Sequence, residues 1–273
     1  MKKIILIGLV LTLFTSSAFA EEKEVSGGGE PDASSLIAKS QRAFYYAGSD
    51  MKVKVTMELT ASGGAKRTRV LTMLRRNDGS NQKYFMFFHE PGDVRGTGFL
   101  VWKYPEKDDD RWIFVPAVNM VRRIAARDSR SSFVGSDFTY EDVSGRDIKA
   151  DSHTLLREEK LGGSDCFVVQ SIPKASANFT KKISWIDKKT FLPLKEEYYD
   201  AQQTLTRVFT ADKIENIGSG GKTYPTVTRR MMKNVKSGHA TEVSFANVAY
   251  DVGLEGSVFE EKVLQTPPQK WIQ

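Results

Sequence analysis

The fold is decided by residues 51–59, which read MKVKVTMEL. Apolar residues stand at every odd position of this stretch, and polar or charged residues stand at every even position. Successive side chains of a β-strand point to opposite faces, so this alternation predicts a strand with one buried face. The turn residues Ser62-Gly63-Gly64 follow, and Thr68–Leu74 supplies the return strand of a β-hairpin.

Turn residues continue to separate short apolar runs along most of the chain. Beyond the first hairpin, the predicted strands are Lys83–Phe88, Gly98–Tyr104, Arg111–Val115, Met120–Ala125, Cys166–Ile172, Lys181–Ile186, Pro193–Tyr199, Leu205–Ile214, Thr226–Asn234 and Thr241–Tyr250. About a dozen strands at this spacing indicate an antiparallel sheet, which at that size must curl, close or be covered. The predicted fold class is mainly β, a long and strongly curved sheet or open barrel with a few helices covering it.

Helices are predicted mainly at the two ends of this region. Asp32 is a suitable N-cap for a helix that ends near Tyr46. One face of that helix consists of Leu36, Ile37, Ser40 and Phe44. A turn or two of helix is predicted within Ser257–Gln265. Residues 32–273 are therefore expected to form a single domain.

The start of the chain has the features of a signal peptide. Two lysines precede the apolar run Ile4–Phe14, and Ala18-Phe19-Ala20 fits the small-x-small cleavage rule. The run is shorter than the roughly 20 apolar residues of a spanning helix, which disfavours the alternative of an uncleaved anchor. Residues 1–20 are predicted to be removed after Ala20, leaving a Gly-rich flexible lead-in at residues 21–31 and a periplasmic protein.

Charge and cysteine content exclude several classes of protein. Removing Lys2 and Lys3 with the signal peptide reduces 40 basic residues to 38 against 34 acidic ones, a net charge of +4. The charges are interspersed, unlike the basic blocks of nucleic-acid-binding tails. Cys166 is the only cysteine, so a disulfide within the chain and a metal site of several thiolates are both excluded.

The sequence shows no catalytic constellation. His89, His153 and His239 lack metal-ligand spacing, and neither a Gly-x-Ser-x-Gly elbow nor a phosphate-binding loop is present. Asp108-Asp109-Asp110 leaves a calcium site open beside the simpler interpretation of an acidic turn. Asp137 and Glu141 leave a hydrolase as an alternative function, because carboxylate pairs meet through the fold. We expect no cofactor, no metal and no enzymatic activity.

The central segment is unusually aromatic, which predicts either core packing or the lining of an apolar groove. The candidate groove residues are Phe99, Trp102, Trp112, Phe114, Met120, Phe133, Phe138 and Tyr140. Strand alternation allows only some of them to face one hollow. Basic residues interleave with these aromatics, but secretion argues against nucleic acid as the partner.

The same segment resembles a known family. The motifs that carry the resemblance are Val94-Arg95-Gly96-Thr97-Gly98-Phe99, Trp102, Asp108-Asp109-Asp110-Arg111-Trp112, Pro116-Ala117, Val121-Arg122-Arg123-Ile124, Ser132-Phe133 and Gly135-Ser136-Asp137-Phe138-Thr139-Tyr140-Glu141-Asp142. They are similar to the LolA-like outer membrane lipoprotein-sorting proteins, whose superfamily includes LolA, LolB and RseB. The resemblance implies an unclosed half-barrel of about eleven antiparallel strands, with a helical lid over a concave apolar face.

The resemblance also implies a function. The expected ligand is a lipid, an acyl chain or a lipidated protein, carried toward the outer membrane with transient contact to membrane surfaces. An RND-type inner-membrane transporter is the expected partner. Gly48-Ser49 could serve as the hinge of the lid or as a plain helix cap. The alternative is a periplasmic sensor on the same scaffold, as RseB is.

Overall fold

The computed structural model describes residues 31–105 and 107–273 of the chain. The predicted signal peptide, residues 1–20, lies outside the described residues, as does the predicted lead-in except for Pro31. Within the described part, no helix is long and apolar enough to cross a membrane.

The described residues contain one antiparallel sheet of thirteen strands, in the order β6-β5-β4-β3-β2-β1-β13-β12-β11-β10-β9-β8-β7. The strands are β1 (Asp50–Thr60), β2 (Lys66–Asp78), β3 (Asn81–Glu90), β4 (Gly98–Lys103), β5 (Asp110–Val115), β6 (Met120–Arg123), β7 (Asp151–Leu161), β8 (Ser164–Pro173), β9 (Lys181–Asp187), β10 (Pro193–Tyr199), β11 (Leu205–Ser219), β12 (Lys222–Asn234) and β13 (Ala240–Tyr250). Because β6 and β7 do not pair with each other, the sheet has two edges and stays unclosed. The predicted fold class is confirmed, with thirteen strands in place of the about eleven that the family resemblance implies.

The helices are short and few among the described residues. They are α1 (Ala33–Tyr45), α2 (Tyr140–Ser144) and α3 (Gln269–Ile272), with 3-10 turns at Pro116–Val118, Ala126–Arg130, Ile148–Ala150, Gly256–Phe259 and Glu261–Leu264. The first helix agrees with the prediction, with Asp32 as its N-cap. The helical turns predicted near the C-terminus are 3-10 turns.

One strand was missed by the sequence prediction, which found twelve. Residues 151–161 form the edge strand β7, which pairs only with β8. Edge strands often carry charged side chains, which discourage pairing with another chain, so their residues need not alternate between apolar and polar. Here Leu156 is exposed, and four of the last five residues before Leu161 are charged. The pattern that predicts a half-buried strand is therefore absent.

The apolar side chains of β1 define the inner face of the sheet, which carries Val53, Val55 and Met57. This face continues across the sheet in one buried cluster whose members include Leu71, Met73, Met86, Phe88, Phe99, Tyr198, Phe209, Met232 and Val243. Phe44 of α1 and Phe138, just before α2, pack against the same cluster. The predicted helix α1 and the short helix α2 therefore lie over the inner face.

The outer face of β2–β5 is covered by the C-terminal segment, residues 252–272. Leu74, Phe85 and Leu100 form a second buried cluster with Phe259 and Leu264. The sheet is thus buried on both faces at this end. This burial explains why the sequence of β3 has apolar residues on both of its faces.

Gly48 lies between α1 and β1, at a point where the backbone passes close to Tyr250. Its φ is +68°, and a Cβ atom there would lie 2.8 Å from Cδ1 of Tyr250. Gly48→Ala should therefore lower the free energy of unfolding by about 1–3 kcal/mol, because strain and a clash act together. Gly63→Ala is the matched control, since a Cβ in that turn meets nothing within 4 Å. Urea unfolding that ranks the two variants as equally stable would contradict this expectation.

Candidate functional site

Helix α1 is fixed to the inner face by its N-terminal half. Asp32 Oδ2 accepts a hydrogen bond of 2.8 Å from the backbone N–H of Ser35, which caps the helix. Leu36 and Ile37 are buried in a cluster that includes Val169 of β8 and Ile186 of β9. These apolar contacts hold the start of α1 over one end of the sheet.

The second part of the covering layer is the segment 131–146, which contains α2. Thr139 and Asp142 form a capping box at its start, with hydrogen bonds of 2.8 and 3.0 Å between side chains and backbone. The Tyr45 hydroxyl of α1 donates to the backbone oxygen of Asp142 at 3.1 Å. Gln41 donates to the backbone oxygen of Arg146 at 2.6 Å. We call α1 and residues 131–146 together the cover.

The connection from α1 to β1 is held by hydrogen bonds. The Arg75 guanidinium donates to the backbone oxygens of Tyr45 and Ala47. Asn77 donates to the backbone oxygen of Gly48 at 2.7 Å. Gly48 stands beyond the C-cap residue of α1, so it is not the helix cap. The predicted hinge at Gly48 stays a prediction, and any motion there must break these bonds.

Small cavities remain between the cover and the inner face. A cavity of about 70 Å³ lies under α1, and two further cavities hold about 30 Å³ each. The lining of the first is mixed, and we call it the polar cavity because it contains charged side chains. One of the smaller cavities is almost wholly apolar and is lined by Val55, Met57, Leu71, Met73, Met86, Phe133, Phe138, Val143, Arg230, Val243 and Phe245. Ligand pockets typically enclose about 300–1,000 Å³. A wider cleft of about 460 Å³ beside the cover is lined mainly by charged and polar side chains, among them Lys103, Asp109 and Arg146. An acyl chain can therefore reach the apolar cavity only if the cover moves.

The acidic side chains around the polar cavity are paired. Glu141 meets Arg146 at 2.9 Å, and Glu196 meets Lys182 at 2.9 Å. The third acidic residue, Asp142, is paired with Arg207 at 2.7 Å.

The Asp142 pair is mostly buried, with 14% and 12% of the Asp142 and Arg207 side chains exposed. Burial acts to raise the pKa of the Asp142 carboxyl. The Arg207 guanidinium and the Thr139 hydrogen bonds outweigh that effect and hold the pKa below its usual value. Asp142 is therefore charged at neutral pH and ties the cover to β11.

The structure divides the predicted aromatic residues between two faces. Four contribute to the inner cluster: Phe99, Phe133, Phe138 and Tyr140. Phe133 lies 5.3 Å from Phe99 and 5.5 Å from Tyr140, measured between ring centroids. Of the four, Phe133 and Phe138 line the apolar cavity.

The remaining four predicted residues lie away from the space between the cover and the inner face, which we call the hollow. Trp102, Trp112 and Phe114 belong to the outer cluster, where Trp102 Nε1 donates to the backbone oxygen of Phe259 at 2.7 Å. Met120 is 54% exposed on the edge strand β6. Phe99 and Trp102 are three residues apart on β4, so strand geometry places them on opposite faces.

Several residues of the hollow were missed by the sequence prediction. The alternation in β1 marked Val55 and Met57 as sharing a face, but could not assign that face to the inside. Arg230 of β12 lines all three cavities, yet no sequence pattern distinguishes it from its exposed neighbour Arg229.

The residues of the alternative hydrolase and calcium sites also have structural partners. Asp137 accepts hydrogen bonds of 2.6 and 2.7 Å from His239 and Thr241. Within the acidic turn, Asp109 pairs with Arg111 at 2.6 Å. Among the described residues, no group of three or more His, Cys, Asp or Glu could hold a metal ion.

A curved, unclosed sheet with a helical cover over an apolar hollow defines a half-barrel protein of the LolA type. A family model described as an uncharacterized protein matches residues 80–266. The chain belongs to this family, and it is similar to LolA-like outer membrane lipoprotein-sorting proteins of solved structure, as the sequence resemblance implied. No curated protein matches the sequence significantly.

Solved structures support this assignment. A DUF1329 family protein from Desulfovibrio piger is 29% identical, with a TM-score of 0.78 over 85% of this chain and 98% of that one. A putative outer membrane lipoprotein-sorting protein domain from Vibrio parahaemolyticus is 29% identical, with a TM-score of 0.77 and the same coverage. A LolA superfamily protein from Nitrosomonas europaea is 22% identical over 84% of this chain and 98% of that one. Its TM-score of 0.64 supports the shared fold.

Proposed function

We propose that this protein binds a lipid or the acyl chain of a lipidated protein beneath its cover and carries it through the periplasm toward the outer membrane, without catalysis. The observation that carries the proposal is the apolar cavity between the cover and the inner face of the sheet. The similarity to a putative lipoprotein-sorting protein supports the same ligand class.

The energetics of the hollow suit this role. Each methylene group removed from water contributes about 0.8 kcal/mol, so a long acyl chain could drive a substantial rearrangement of the cover. The cavities are small because the cover lies close to the sheet. Ligand binding would then shift the population from a closed to an open cover.

The proposal includes transient contact with a membrane and an RND-type transporter as partner. An exposed corner beside the edge strand β6 suits the membrane contact. Val118 is 62% exposed there and Met120 54%. Arg122 and Arg123 follow directly on the same strand. Apolar side chains flanked by cations favour an anionic lipid surface. The transporter rests on the family resemblance alone.

Native mass spectrometry of the protein from its own periplasm, followed by organic extraction, tests the proposal. We expect a stoichiometric lipid that is released on unfolding. We also expect the polypeptide mass to equal that of residues 21–273. Refolding the stripped protein with phospholipid should restore the bound mass. A lipid-free protein that takes up neither phospholipid nor lipoprotein would contradict the carrier function.

A periplasmic sensor is the second candidate, because the same hollow could report its occupancy to a protein partner. A sensor would form a persistent complex with a membrane protein, and that complex would survive emptying of the hollow. Co-purification before and after lipid extraction separates this candidate from the carrier.

A further inference from the structure

Arg230 is the one cation lining the cavities whose guanidinium has no polar partner among the described residues. Its side chain projects from the inner face of β12, between Ala211 and Val243 on the neighbouring strands. The Nε atom is sealed from solvent without a hydrogen-bond partner. The guanidinium makes neither a hydrogen bond nor an ion pair with the described part of the chain.

Aromatic rings surround this guanidinium instead. Its central carbon lies 5.1 Å from the ring centroid of Phe44, 5.7 Å from that of Phe138 and 4.9 Å from that of Phe245. Such contacts are weaker than an ion pair and leave the N–H donors free. Burial lowers the pKa of Arg230, against the opposing effects of Tyr45, Tyr84 and the Asp142 carboxylate, but an arginine stays protonated in proteins.

Neighbouring charges do not satisfy Arg230, because each already has a partner. The three acidic residues of the polar cavity are held by Arg146, Arg207 and Lys182. Two more arginines of the inner face, Arg69 and Arg75, donate to backbone oxygens of the cover and of the end of α1. One positive charge is therefore left over where the polar and apolar cavities meet.

We infer that Arg230 anchors the anionic head group, a carboxylate or phosphate, of an acyl-chain ligand. This inference rests on the proposed lipid-binding function and specifies its ligand class. The planar guanidinium matches two oxygens of such a head group. The polar cavity offers room for the head group, and the apolar cavity marks the path of the chain past Met57 and Met86.

A purely structural role makes a different prediction. If Arg230 only held Phe44 of the cover in place, removing it would change the binding of charged and neutral ligands alike. If Arg230 anchors an anion, only the charged ligand loses affinity. The comparison of matched ligands therefore separates the two roles.

Binding of a 16-carbon fatty acid and of the alcohol with the same chain provides the test, by calorimetry on the lipid-free mature protein. The wild type should bind the acid about tenfold or more tightly than the alcohol. Arg230→Leu should remove that preference by weakening the acid and leaving the alcohol unchanged. Arg229→Leu is the matched control, because Arg229 is exposed on the same strand and points away from the hollow.

Each outcome decides a different point. Equal binding of acid and alcohol by the wild type would overturn the role of Arg230 as an anchor while leaving the carrier function intact. This measurement needs no variant that might misfold. Binding of neither ligand would overturn the proposed function itself. Acetate or inorganic phosphate that binds as tightly as the fatty acid would show an anion site without a chain, and would overturn the inference. Parallel losses for acid and alcohol in Arg230→Leu would assign the structural role.

Discussion

Lipid uptake should stop when α1 is tethered to the turn between β9 and β10. Lys39 of α1 is exposed, and its Nζ lies 5.2 Å from the ring centroid of Phe191 in that turn. A short, reducible reagent that joins two thiols can therefore link Lys39→Cys to Phe191→Cys. The closed hollow has far less volume than an acyl chain needs, so a fixed cover should exclude the ligand.

The measurement is uptake of a fluorescent fatty acid before cross-linking, after it, and after reduction. Reduction should restore uptake, which shows that the protein remained folded. Each single-cysteine variant, treated with the same reagent, is the control. Cys166 can stay, because it is fully buried and because burial raises the pKa of its thiol, which slows its reaction. Unchanged uptake in the tethered protein would show that the ligand enters without motion of α1.

The sheet was largely predictable from the sequence because most of its strands carry one or two apolar faces. The alternation in residues 51–59 predicted β1 to within one residue at each end. The exception is β7, an edge strand in which charged residues replace the alternation. Turn residues located the strand ends, but the pairing of β1 with β13 joins segments almost 200 residues apart. That pairing is a tertiary feature which no local pattern contains.

The candidate site was less predictable, because an aromatic-rich segment does not reveal which face each residue takes. Phe99 and Trp102 lie on the same strand and contribute to opposite clusters. The C-terminal segment covers Trp102, and its own sequence gives no sign of where it packs. Arg230 could not be recognised either, since the absence of a polar partner is a property of the fold.

The cover combines two kinds of attachment. The first half of α1 is held by apolar contacts of Leu36 and Ile37, while the segment around α2 combines the burial of Phe133 and Phe138 with hydrogen bonds and an ion pair. Polar contacts can be exchanged for contacts with water, so they can break with a smaller net loss than apolar burial.

The ion pair between Asp142 and Arg207 should be the most sensitive of these attachments. Asp142→Asn leaves a mostly buried guanidinium without its counter-charge, which should lower the free energy of unfolding by about 3 kcal/mol at neutral pH. Glu58→Gln is the matched control, because Glu58 and Lys66 form a pair of similar length that is largely exposed. That change should cost less than about 1 kcal/mol. Urea unfolding at pH 7 measures both.

The pH dependence identifies the charge as the cause. The pKa of Asp142 is lower in the folded protein than its usual value, so its contribution is complete above the unfolded pKa of about 4. The contribution is lost as the pH falls from there through the folded pKa. The stability gap between the wild type and Asp142→Asn should therefore be widest at neutral pH and shrink below about pH 4. A gap that keeps its size down to pH 3 would mean that packing, and not the charge of Asp142, holds the cover to β11.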